Sequence, residues 1–152
     1  MTPPADPSWL TGPLLDRAIS VVLLLPSATA LAFAAWLDPA AAGVGTHRQL
    51  GLGTCTMLQL TGYPCPMCGM TTTFSLAMHG RLLDALLCQP FALVLFSLTV
   101  ATVLVSLFEL VAPRRRWRRF WGWLGLKEGW IAGALLLGLL LGWVYKLVVM
   151  WP

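Results

Sequence analysis

The sequence predicts an all-α integral membrane protein, with three transmembrane helices and a short interfacial or re-entrant helical segment carrying a CPMCG motif. Three observations predict it. Of 152 residues, 58% are hydrophobic and only 11% charged, against roughly a quarter charged in an ordinary soluble domain. Three apolar stretches are each long enough to cross a bilayer. Eight tryptophans supply a residue that concentrates where apolar and wet regions meet.

The first span is expected at about 18–37, "AISVVLLLPSATALAFAAWL", which has no charge and is bracketed by Arg17 and Asp38. Twenty residues at ~1.5 Å rise give ~30 Å, the thickness of a bilayer core. Pro26 is expected to kink it. Residues 1–17 read as a polar cytoplasmic tail and 18–152 as a single membrane domain. A cleaved signal peptide competes for the first apolar run. Its one Arg against two Asp and its excessive length argue against that reading.

The second span is expected at 90–111, with Pro90 in the first helical turn, where a missing N–H costs nothing. Glu109 falls near its end, as a headgroup-level partner for Arg114 to Arg116. The third span is expected at 129–150. Trp130 and Trp143 are placed as interface anchors there, and Lys146 is expected to snorkel outward. Gly138 and Gly142 form a GxxxG, a surface for a homo-oligomer or a partner membrane protein.

Six of the ten Lys and Arg residues lie between Arg114 and Lys127, whereas residues 39–89 hold only Arg48 and Arg81. The positive-inside rule then puts the 113–128 loop, with Arg114, Arg115, Arg116, Arg118 and Arg119, in the cytoplasm together with the N-terminus. The motif segment 46–89 faces the exterior. This basic run belongs to no soluble face, which excludes nucleic acid and leaves the lipid bilayer as the expected partner.

From Gln49 to Met78 thirty residues pass without a charge, yet Gly51, Gly53, Gly62, Pro64, Pro66 and Gly69 break any continuous helix. This stretch reads as an element embedded at the interface and packed over the spans. Within it lies "YPCPMCGMTTTF". Cys65 before Pro66 suggests a helix cap, where unpaired N–H groups would favour a thiolate. Met67, Met70, Thr71, Phe74, Ala77 and Met78 recur at helical spacing as one face. Thr71–Thr73 are expected to return hydroxyl bonds to the preceding turn. Asp84 is expected to pair with Arg81, and His79 to close the helix before Gly80.

The Cys65/Cys68 pair admits three chemistries. It reads first as structural, pinning a bend. Thiol–disulfide exchange is the alternative, with Cys55 and Cys88 as a shuttling pair. Zinc or copper binding by Cys55, Cys65 and Cys68 is the second alternative. For a fourth ligand His79 is disfavoured, lying eleven residues past Cys68, ~16 Å along a continuous helix. His47 or a folded-back Cys88 would be required. No phosphate loop or Ser/His/Asp set assembles, so the reading leans to a non-enzymatic protein without a cofactor.

The stretch "GYPCPMCGMTTTFSLAMHGRLLDALLCQPFA" resembles a bacterial membrane family, domain of unknown function 2752, over about Gly45 to Ala92. The closing "GWVYKLVV" is similar more loosely. The resemblance marks Cys65, Pro66, Cys68, Gly69, Thr71, His79, Gly80 and Pro90 as motif residues. It implies a multi-pass protein of a bacterial inner membrane and assigns no activity. The chain departs from the family at Thr72, where Arg is frequent, and at Gln89, where Asn is usual.

Overall fold

A computed structural model describes residues 12–112, 116–125 and 128–150. Its elements are α1 (Pro13–Trp36), a 3-10 turn (Thr46–Leu50), α2 (Thr56–Thr61), α3 (Met70–Met78) and α4 (Leu82–Cys88). These are followed by α5 (Pro90–Val111), α6 (Arg116–Gly125), α7 (Glu128–Tyr145) and a π-helical turn, Lys146–Met150. There is no strand among the described residues.

Three helices are long and apolar enough to cross a membrane: Pro13–Trp36, Pro90–Val111 and Gly129–Val148. In the most apolar window of each, only 11% of residues are buried inside the protein. Surfaces this apolar suit lipid rather than water, because hydrocarbon solvates them without the cost that water imposes.

The second span has the bounds expected from sequence. The first begins five residues early, because Pro13 opens the helix and Asp16 lies inside it rather than ending it. Asp16 is only 2% exposed, one turn below Ser20, whose hydroxyl donates to the Asp16 carbonyl at 2.8 Å. Pro26 sits within α1 without terminating it.

α1 packs along α5, and α3 packs against both. The apolar core is the contact of Leu76, Ala77, Ala85 and Cys88 with Leu93 and Phe96. Phe74 meets Phe96 edge to face, with ring centres 5.4 Å apart. The face of α3 marked by the apolar spacing is only partly buried, with Ala77 in the core. Met78 is exposed, and the helix instead turns Thr72, Thr73 and Ser75 inward. Two of these hydroxyls bind across the fold: Thr72 meets Thr46 at 2.8 Å, and Ser75 donates to the Leu37 carbonyl at the end of α1. The return bond expected of Thr72 is replaced by this cross-link.

The 113–128 stretch is not a plain loop. Its described part is α6, in which Trp117, Phe120 and Trp121 share one face through edge-to-face ring contacts. Arg114 and Arg115 lie outside the described residues. Glu109 is fully buried within the protein and meets Arg116, one of its expected partners, by accepting the Arg116 N–H at 3.3 Å. The Arg116 guanidinium stands 3.8 Å from its other oxygen.

Gly138 and Gly142 are spent within the chain. A Cβ on Gly138 would fall 2.6 Å from the Phe91 ring, and one on Gly142 would fall 3.1 Å from the Phe91 Cβ. The small-residue stripe lets α5 approach α7, so the close contact expected for a partner helix is made internally. Gly138→Ala should therefore lower stability in detergent by about 1–3 kcal/mol through overpacking. Adding Phe91→Ala should recover part of that loss. Thermal unfolding of the single and double variants checks it, and additive losses would count against the contact.

Candidate functional site

Everything between α1 and α5 builds one compact cap. Gly45, at φ +91°, opens the 3-10 turn, and Thr46 fixes it by accepting the Ala40 N–H at 3.0 Å while meeting Thr72. Cys55 stands at the cap position of α2. That helix ends at Gly62, whose left-handed φ of +73° turns the chain into Tyr63 and Pro64. Pro66 is fixed near the φ that a tight turn needs at its second residue, and the Cys68 N–H closes the turn onto the Cys65 carbonyl at 3.0 Å.

Cys65 is therefore not a helix cap. Residues 66–69 form a turn, and α3 begins only after Gly69, which holds φ +91°. A side chain at 69 has no room. Its Cβ would collide with the Lys146 ammonium, and it would lie 2.9 Å from the Gly43 carbonyl. Lys146 does not snorkel outward. It is 2% exposed and donates to the Cys68 carbonyl at 3.0 Å and the Gly43 carbonyl at 3.3 Å. Irregular backbone at this depth needs such donors, which outweighs the ordinary preference of a lysine for water.

Two further carbonyls of the motif loop are held in the same way. Trp143 donates its indole N–H to Pro64 at 2.8 Å, and Gln89 donates its amide to Pro66 at 2.9 Å. Trp143 is thus a clamp on the loop rather than a free interface anchor, while Trp130 is 85% exposed. Gln89, Trp143 and Lys146 are residues that sequence reasoning missed as parts of the site. The signals for Gln89 were its place directly before Pro90 and its standing where the resemblance expects Asn.

The turn carries Cys65 and Cys68 toward Cys55. The three sulfurs all lie within 4.8 Å of one another, with Cys65 and Cys68 at 3.2 Å, and all three are free thiols. They line a cavity of about 340 Å³ shared with His47, Arg48 and Met67. Cys88 is elsewhere, buried with its thiol donating to the Gly43 carbonyl at 3.2 Å, so no Cys55/Cys88 shuttling pair forms. The backbone N–H of Leu58, within the helix that Cys55 caps, holds the Cys55 thiol down to about 7. Burial pushes Cys68 up to about 12, and competition with the neighbouring Cys65 and Cys55 sulfurs adds to the rise.

The other motif residues close the cap. His79 ends α3 with Nδ1 2.8 Å from the Ser75 carbonyl. At Gly80, φ +76°, the chain reverses, with the Arg81 N–H bound to Leu76 at 2.9 Å. Arg81 pairs with Asp84 at 2.7 Å, Pro90 opens α5, and Thr71 lines an apolar cavity against α1. None of these joins the sulfur cluster.

Residues 55–103 match the family model described as a protein of unknown function, DUF2752. The resemblance read from the CPMCG stretch is thereby shown for that segment, which starts later than expected and runs further into α5. No curated protein and no solved structure matches the chain. The DUF2752 segment contains all three clustered cysteines and Gln89, while His47, Trp143 and Lys146 lie outside it.

Three convergent thiols with one of them readily ionised form a donor set for a soft cation or a nucleophile for exchange. In the ion-free protein, alkylation of Cys55 by iodoacetamide should rise about tenfold per pH unit and level off above pH about 7, as its thiolate fills. Cys68 should stay unreactive until far higher pH. Peptide mass spectrometry across a pH series reads both, and a Cys68 that labels first would contradict the geometry.

Proposed function

We propose that this membrane protein binds a soft metal ion through the thiolates of Cys55, Cys65 and Cys68. The mutual approach of the three sulfurs carries the reading. A zinc–thiolate distance of about 2.3 Å implies sulfurs about 3.8 Å apart around a tetrahedral ion. The observed spacings, 3.2 Å for one pair and none above 4.8 Å, bracket that value. A pair that only pinned a bend would leave Cys55 without a role. As a ligand, Cys55 makes the ion a cross-link between α2 and the motif turn, so the site keeps a structural purpose.

Protein purified in mild detergent should carry about one zinc or copper per chain by elemental analysis, released by a mercurial. Cys65→Ser and Cys68→Ser should each abolish it. A second reading, thiol–disulfide exchange, is favoured by the 3.2 Å approach of Cys65 to Cys68 and the low Cys55 thiol. A metal-free protein holding a Cys65–Cys68 bond in equilibrium with a thiol buffer would replace the first reading with this one.

The compartment is part of the proposal. Basic α6 follows α5 at the end opposite the cap, and Arg119 on it is exposed. With the positive-inside rule, this supports a bacterial inner-membrane protein with α6 and the N-terminus cytoplasmic and the thiol cap exterior. A cysteine engineered at Gly122 should resist an impermeant maleimide in intact cells, and one at Gly51 should label. The reverse pattern would invert the topology.

A further inference from the structure

A tetrahedral ion on three thiolates has a fourth position, and the cavity narrows what can fill it. Cys88 is bound to the Gly43 carbonyl, and His79 is turned back on Ser75. Among the cavity-lining side chains, His47 and Met67 offer a nitrogen or sulfur outside the thiol cluster, and Met67 is 65% exposed.

His47 is held in a way its surroundings otherwise leave unexplained. Its Nε2 lies 3.2 Å from the Gly53 carbonyl. In the uncharged ring, donation from Nε2–H to that oxygen leaves the Nδ1 lone pair free. A backbone carbonyl on one ring nitrogen and a metal on the other is a recurrent arrangement of ligating histidines. The backbone under His47 is also fixed, because Thr46 is buried and locked to Thr72 on α3. His47 is not among the groups within 4.8 Å of the sulfurs, so completing a four-ligand site requires its ring to turn toward the cluster.

The donor set selects the ion. Three thiolates with one imidazole nitrogen around a tetrahedral ion is a recurrent zinc arrangement, whereas thiolate and thioether donors without nitrogen suit monovalent copper.

We infer that the site is a Cys3His zinc centre, with His47 Nδ1 completing the coordination of Cys55, Cys65 and Cys68. This rests on the metal reading above and goes beyond it by naming the fourth ligand and the ion.

The test uses the full-length protein in detergent with Co2+ as a spectroscopic stand-in and Zn2+ affinity from competition with a chromophoric chelator. Native protein should give tetrahedral Co2+ bands with strong thiolate charge transfer. His47→Ala should keep the charge transfer, shift the ligand-field bands and weaken Zn2+ at least about tenfold. His47→Cys should restore tight binding with a four-thiolate spectrum, which keeps the test decisive if the alanine variant folds poorly. Met67→Ala and His79→Ala should change neither readout. A His47→Ala spectrum and affinity equal to native would overturn His47 as ligand while leaving the three-thiolate reading intact. Stoichiometric uptake of Cu+ with no uptake of Zn2+ would overturn the choice of ion. A native protein that takes up no metal at all would sink the metal reading itself.

Discussion

The constraint on which the rest of the site depends is a backbone that cannot satisfy itself. Pro64 and Pro66 remove two donors from the motif loop, and left-handed Gly69 prevents α3 from starting earlier. The loop is then left with carbonyls at Pro64, Pro66 and Cys68 that need partners from outside. Each receives one: Trp143, Gln89 and Lys146 donate at 2.8, 2.9 and 3.0 Å. A buried polar group without a partner costs about 1–3 kcal/mol. Three such failures would consume much of the ~5–15 kcal/mol that holds a domain folded. The clamps fix the Pro64–Cys68 turn, and the turn fixes two of the three sulfurs.

Seen this way, Lys146 and Gly69 are two halves of one contact. The ammonium occupies the volume that a side chain at 69 would need, and its stem reaches there because the third span ends beside the cap. The motif glycine thus answers to a residue seventy-seven positions away in sequence. Its left-handed backbone is a second, independent reason for glycine at that place.

The three spans were legible in the sequence because length and apolar content are local properties. So were the Pro90 start of α5, the chain reversal at Gly80 and the Arg81–Asp84 pair, each set by residues a few positions apart. What could not be read was where donors and small residues would be used. Cys55 meets Cys65 and Cys68 only through the reversal at Gly62. Lys146 looks like any interfacial lysine until the cap presents carbonyls to it. Gly138 and Gly142 advertise a close helix contact without naming the helix, and Phe91 of the same chain takes it. α3 is only half legible because its apolar periodicity is real, while the Thr72 and Ser75 hydroxyls find partners in Thr46 and Leu37. Thr72 and Gln89 were illegible for the same reason, since both are buried and bonded within the cap.

The clamp by Trp143 and Lys146 also sets an order of events during biosynthesis. Both residues belong to the third span, which leaves the ribosome after the second, whereas the cysteines emerge before the second span is made. A nascent chain paused between the two carries a motif turn with two of its three outside donors absent. The thiols thus pass through a stage of exposure before they acquire a fixed geometry. A chain lacking the third span would present loose, oxidisable sulfur to its surroundings.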